Sequence, residues 1–290
     1  APQLALYLAF VGLVYLPAQD LPVPYAEEAD FEFTPGFWNG GIELEGLQMP
    51  DDPAVAAEIV KLVRGQLLAW DPVAQREVWR YQHAGPWNGG VLATAGGLVF
   101  QGSLVGEFAA YDAAGGERLW QFPAQTGIAA APISYRAGGR KMVAVAAGWG
   151  SAFALFGGKA IASLGLRNRS RVLAFSLDGT AALPEPEPAI ASGIPRPPEY
   201  AADAAQLALG KDLYYERCAV CHGLDAASGG VLPDLRRAGP ETHAAWDAIV
   251  RGGLYRERGM PAFAPIFSAA DSEAVRAFVL ERAWQAYNSE

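Results

Sequence analysis

The sequence predicts a multidomain chain. An all-β partial propeller over residues 1–180 is followed by a Pro-rich linker over 181–200 and an all-α domain over 201–290. Three observations carry this. Residues 69–79 (Ala-Trp-Asp … Val-Trp) return as residues 110–120 (Ala-Tyr-Asp … Leu-Trp), and both Asp71 to Asp112 and Trp79 to Trp120 are 41 residues apart. That period is the length of a four-stranded propeller blade. Six prolines (Pro184, Pro186, Pro188, Pro195, Pro197 and Pro198) then interrupt any periodicity, which marks an extended, semi-rigid tether. Beyond it the apolar residues recur at helical spacing.

Composition agrees with a folded chain. Of 290 residues 51% are hydrophobic and 18% charged, as in globular proteins. The 33 glycines and 21 prolines require many turns, and the aromatic content suits β structure. A net charge of −9 argues against a nucleic-acid partner, which needs a basic face. It suits a basic redox partner instead.

In chain order, residues 4–17 are apolar but too short to span a bilayer. No Lys or Arg precedes them, so they lack the basic region of a signal peptide. They are expected to form a buried pair of strands split by Gly12, the second ending at Pro17. A loop spans 20–41. Over 53–64, Val55, Ile59, Leu62 and Val63 share a helical face, with Asp52 as cap and Pro53 in the first turn. In each repeat a strand ends at Asp, a tight turn follows, and a second strand carries Trp79 or Trp120 as a flat anchor between blades. Further strands are expected at 91–95, 98–101, 108–111, 128–133, 142–147, 153–156 and 172–175. At about 45 residues per blade, residues 1–180 make at most four blades, an incomplete ring. In the last domain, helices are expected over 204–215, 242–251 and 271–286, the third capped by Ser268 or Asp271.

The chemistry is concentrated in Cys218-Ala219-Val220-Cys221-His222, which holds the only two cysteines of the chain. Cys-x-x-Cys-His is a covalent haem c attachment motif: two thiols join the porphyrin vinyl groups and the histidine lies beneath the iron. A zinc site is the rival reading, but only His83 and His243 remain to complete four ligands. Met260 is the sole methionine of this domain, and its thioether suits the second axial position. The alternative is that Met260 packs under the haem while water or His243 takes that place, although His243 reads as a surface residue at a helix start. A carbonyl near Pro233 or Leu235 is expected to hold the His222 ring N–H.

With these segments in view, the chain resembles the C-terminal part of the quinohaemoprotein alcohol dehydrogenases. The resemblance is carried by residues 12–19, 68–72, 86–96, 119–127 and 147–150, by the linker and by the haem motif. It implies an eight-bladed propeller holding pyrroloquinoline quinone (PQQ) and Ca2+, followed by a cytochrome c domain. Electrons would pass from alcohol to PQQ, to haem c and to an external acceptor, either a redox protein or the membrane quinone chain. It implies a periplasmic location, since haem attachment to cysteine is an export-side process. No part of this chain matches the segments that supply the family's calcium ligands, catalytic Asp or vicinal disulfide. The chain alone is therefore expected to be inactive toward alcohols, no residue is assigned a catalytic role, and a chain carrying the remaining blades is an expected partner. Gly148 and Trp149 are the residues matching a PQQ-lining segment; a plain blade-core Trp is the rival reading, and Trp87-Asn88 is a weaker candidate. The competing function is a non-enzymatic c-type electron carrier with a propeller-like docking domain. A haem-based gas sensor would need an open sixth position, against which Met260 argues.

Overall fold

The computed structural model describes residues 6–8, 12–37, 39–47, 50, 53–85, 87–150, 154–155, 161, 164–186 and 193–289. The chain forms two compact units that are not consecutive in sequence. One comprises Ala1–Pro22, Pro50–Phe153 and Leu164–Ala189; the other comprises Val23–Met49, Ala154–Ser163 and Ile190–Glu290. Residues 23–49 thus leave the β region in which the sequence places them. Their apolar residues Phe37 and Leu44 pack against the core of the helical unit.

Among the described residues the β unit holds three antiparallel sheets. β1 (Leu6–Leu8), β2 (Leu13–Asp20), β3 (Arg64–Asp71) and β4 (Arg76–Gln82) form the first, in that order. β5 (Asn88–Ala93), β6 (Leu98–Ser103), β7 (Glu107–Asp112) and β8 (Arg118–Pro123) form the second. β9 (Ile133–Ala137), β10 (Arg140–Ala147) and β11 (Arg171–Phe175) form the third, in the order β11-β10-β9. The sheets bury two layers. Tyr15, Leu67, Val99 and Tyr111 belong to one, and Phe108, Ile128, Val145 and Leu173 to the other.

The 41-residue repeat is a repeat of turn chemistry. The Asp71 carboxylate accepts from the backbone N–H groups of Val73 and Ala74, both at 2.9 Å, and the Asp112 carboxylate accepts from Gly115 N–H at 2.6 Å. Each Asp closes a turn that a backbone group would otherwise have to close. The register also shifts at matching places, between Ala69 and Trp70 and between Ala110 and Tyr111. The two tryptophans are not equivalent. Trp79 is 9% exposed and donates from Nε1 to Ala113 O at 3.0 Å, whereas Trp120 is 39% exposed.

Several expectations are corrected. β2 runs through Pro17 rather than ending there. Pro17 lies opposite Leu67 of β3 in the ladder. The helix α1 (Pro53–Leu62) forms, but Val55 and Leu62 on its expected inner face are exposed; Asp52 lies outside the described residues. The expected strand at 128–133 is instead extended chain with one parallel bridge, Ile128 to Gly148. Pro132 stands just before β9, where it denies the ladder a donor. Of the expected strand 153–156, the described residues Ala154 and Leu155 are helical.

The helical unit is built on α2 (Ala204–Arg217) and α6 (Ala269–Asn288), separated by the short α3 (Ala219–His222), α4 (Pro240–Ala244) and α5 (Trp246–Val250). α2 and α6 cross at Gly210, where a Cβ would stand 2.0 Å from Ala274 O. Tyr214, Tyr215 and Phe278 fill the crossing; the Tyr214 and Phe278 rings are 5.2 Å apart. Ser268 and Asp271 both cap α6, as the two halves of a capping box. The single helix expected over 242–251 is two, because Ala245 (ψ 7°) breaks the helical path. No described helix is long and apolar enough to cross a membrane.

Candidate haem-attachment site

α2 delivers the motif at its C-terminal end. Cys218 N–H still bonds to Tyr214 O (2.8 Å), and Cys218 O then accepts from Cys221 N–H (3.1 Å) and His222 N–H (2.9 Å). The five residues therefore form one helical turn, and the two thiols, three positions apart, are neighbours on its surface. Both cysteines are free thiols, Cys218 half-buried and Cys221 exposed. Desolvation pushes the Cys218 thiol up to about 12 and raises Cys221 as well, so neither is held as a thiolate. Gly223 ends the turn at φ +83°, a left-handed conformation open to glycine, and its carbonyl accepts from the buried Tyr214 hydroxyl at 2.7 Å. The motif is thus clamped to the helix that carries it.

The chain returns through the turn Leu224–Ala226 and brings Pro233 O to 3.2 Å from His222 Nδ1. A carbonyl only accepts, so Nδ1 carries the proton and Nε2 keeps its lone pair. This is the contact expected from the sequence. Burial lowers the His222 pKa, partly offset by that carbonyl, so the ring is neutral, the form that binds metal. Met260 follows the left-handed Gly259 (φ +92°), with its N–H 3.3 Å from Tyr255 O. Three residues on, Phe263 N–H bonds to Val250 O at 2.9 Å and ties the loop to α5. Met260, Cys218, Leu224 and Leu235 all border the same aromatic core, which Phe37 joins through Phe263 at 5.5 Å. The donor set of two thiols, one single-tautomer imidazole and one thioether on one core fits a covalently bound haem.

His243 is not the surface residue that the sequence suggests. It is 7% exposed and lies parallel to Trp246, ring centroids 5.6 Å apart. Burial, seconded by the Arg276 charge, lowers its pKa; the Ala238 carbonyl and Glu273 act against this. The three-residue spacing from His243 to Trp246 was the available sign of such a pair.

Gly148 and Trp149 lie in the β unit. Gly148 N–H bonds to Gly127 O at 2.8 Å, and Trp149 N–H to the Asn168 side chain at 2.9 Å. Trp149 is 3% exposed, and its indole occupies space left by the missing Cβ of Gly127, where such an atom would stand 2.3 Å from Nε1. Asn88 is fully buried and satisfied: it donates to Gln66 O and accepts from the Gln19 amide, both at 2.5 Å.

Together, a repeat-built β unit and a helical unit with a clamped Cys-x-x-Cys-His turn define a propeller–cytochrome c protein. Family models agree: residues 61–143 match the β-propeller domain of glucose/ethanol/alcohol dehydrogenases, and residues 205–279 match cytochrome c oxidase, cbb3-type, subunit III. Over 95% of the chain the sequence is 41% identical to quinohemoprotein alcohol dehydrogenase ADH IIB of Pseudomonas putida, covering 39% of that protein. It is 41% identical over 96% of the chain to the dehydrogenase subunit of alcohol dehydrogenase (quinone) of Komagataeibacter europaeus, covering 38% of it. The solved structure of ADHIIG from P. putida superposes with a TM-score of 0.87 at 37% identity, over 99% of this chain and 42% of that one. The chain is similar, over nearly its whole length, to the propeller and cytochrome portion of the quinohaemoprotein alcohol dehydrogenases. It spans about two fifths of the length of these relatives. Haem c is the cofactor of the cytochrome domain, and PQQ and Ca2+ are those of the full family enzyme.

Proposed function

We propose that this chain is the electron-output portion of a PQQ-dependent alcohol dehydrogenase, with haem c held by Cys218 and Cys221 and its iron between His222 and Met260. The observation that carries this reading is the Pro233 carbonyl on His222 Nδ1, which leaves the opposite nitrogen free for a metal. Bound haem supplies one-electron redox chemistry. The chain's own residues do the rest: the thiols anchor the ring, the Tyr214–Gly223 bond fixes the attachment turn, and the Met260 thioether raises the reduction potential. Gly148 and Trp149 would wall the PQQ pocket, a role supported by the close knitting of their turn to Gly127 and Asn168. The calcium and catalytic carboxylates come from other propeller blades, carried on the same polypeptide or on a partner chain. The electron acceptor is a redox protein or a membrane quinone chain, and the location is periplasmic, as covalent haem attachment requires.

Two measurements test this. Met260→Ala should keep the haem covalently attached while abolishing the long-wavelength sulfur-to-iron absorption band; survival of the band overturns the axial assignment. The 290-residue chain supplied with PQQ, Ca2+ and ethanol should oxidise no alcohol, and turnover under those conditions overturns its role as an output portion alone.

A further inference from the structure

Val23–Met49 interrupts the β region in sequence yet belongs to the helical unit, and the haem reading gives it no task. Its base is closed on itself. Glu27 bridges Ile42, Glu28 N–H bonds to Gly41 O at 3.2 Å, and Glu43 N–H bonds to Ala26 O at 3.0 Å. Within that closed base one side chain shapes the turn at residues 34–39. The Asn39 amide oxygen accepts from Thr34 N–H at 2.7 Å, and its nitrogen donates to Thr34 O at 2.8 Å and to Phe37 O at 2.7 Å. A side-chain amide that closes its own backbone in this way sets the turn locally, before any long-range packing. The return limb is tied down as well: Glu45 pairs with Lys211 of α2, and Leu44 packs on the aromatic core.

The 34–39 turn touches both stretches of chain that supply the candidate axial ligands. Arg217, the residue before Cys218, donates from Nη2 to Thr34 Oγ1 at 3.1 Å. On the other side Phe37 lies against Phe263, ring centroids 5.5 Å apart, and Phe263 is three residues after Met260. Phe263 is buried and stacks on Phe267 at 5.2 Å, so the Phe37 ring completes a row of three. The Met260 loop has no helix of its own to stiffen it: Gly259 is left-handed, and residues 260–263 lie outside regular structure. Its position rests on the Phe263 backbone bond to Val250 and on what packs against the Phe263 ring. We propose that Phe37 is a positioning residue for Met260: the 34–39 turn, anchored to Arg217, braces Phe263 and so holds the loop that presents the thioether. The proposal rests on His222 and Met260 as the axial ligands and adds a residue that acts through Phe263.

The test is spectroscopic titration of the complete oxidised, haem-loaded chain with imidazole. Added imidazole binds only where the thioether has left, so its affinity reports the fraction of chains with Met260 displaced, and no alcohol turnover is needed. Phe37→Ala should keep the haem covalently attached and tighten imidazole binding about tenfold, the effect of losing one aromatic pair with its buried area. Phe37→Leu should restore most of the difference. Asn39→Ala opens the turn but keeps the ring, and should shift the affinity in the same direction by less. Phe33→Ala should leave it unchanged, because that ring is 70% exposed. A merely structural Phe37 would lower the unfolding midpoint without moving the imidazole affinity of the folded chain. Unchanged affinity in folded Phe37→Ala overturns the proposal, as does unchanged affinity in Asn39→Ala should Phe37→Ala not fold, or an equal shift from Phe33→Ala. Met260→Ala separates the brace from the ligand. If it binds imidazole no more tightly than the unaltered chain, the axial assignment falls and the brace with it. If it binds far more tightly while Phe37→Ala does not, the brace alone falls.

Discussion

The β unit and the helical unit treat buried polar groups differently. In the β unit they close onto strands: Asn88 spans Gln19 and Gln66, and Gln101 bridges His83 Nε2 at 2.7 Å and Gly89 O at 2.8 Å. In the helical unit His222 is fixed through one nitrogen only, and the Ser272 hydroxyl makes no hydrogen bond. The contrast teaches that strands can consume the directional groups of a buried side chain, while the attachment turn leaves one His222 nitrogen over. It has a boundary. His83 Nδ1 and Trp149 Nε1 are also buried without partners, so unspent bonding capacity alone does not mark a ligand. What separates His222 from His83 is the pair of cysteines beside it.

The largest effect that would break this contrast lies in those cysteines. Cys218→Ser with Cys221→Ser should eliminate covalent haem completely, read as loss of haem staining on a denaturing gel. Either single change should retain one thioether and the stain. The same double change should leave the β unit's tryptophan fluorescence unfolding intact, because none of its buried layers includes either cysteine. Full staining of the double variant would mean that the attachment turn is not the haem anchor.

How much of this was legible follows from range. The attachment motif is five residues and its chemistry is local, so the sequence carried it outright. The repeat was legible because Asp71 and Asp112 each act on backbone within three residues. The course of residues 23–49 was not legible, since what places them is Phe37 meeting Phe263, 226 positions later in the chain. The burial of His243 was missed for a related reason. Polar residues at a helix start usually face water, and only packing against Trp246 and α6 turns this one inward.

A mid-sized effect sharpens the repeat itself. Trp79 and Trp120 are equivalent in sequence, yet the first is sealed and hydrogen-bonded and the second is over a third exposed. Trp79→Ala should cost about 3–5 kcal/mol in denaturant unfolding, as for a fully buried indole, and Trp120→Ala less than half of that. Equal costs would show that the two positions share one environment.

The smallest effect concerns pH and the one histidine of the β unit. Burial depresses the His83 pKa below its ordinary 6.5, and the Arg118 charge adds to this, while the Gln101 hydrogen bond and Glu107 oppose it. The folded chain therefore keeps this ring neutral where the unfolded chain protonates it. The stabilisation is fully present above about 6.5 and is lost as pH falls below that value, at up to about 1.4 kcal/mol per pH unit. His222 and His243 are shifted in the same direction, so the quantity to follow is a difference. His83→Gln keeps an amide donor near Gln101 and removes the titration. Unfolding free energies of this variant and of the unaltered chain, measured from pH 7.5 down to 5, should draw together as pH falls, because only the unaltered chain pays the His83 penalty. Parallel curves would mean that His83 titrates alike in both states, and that the β unit does not hold this ring as tightly as its bond to Gln101 indicates.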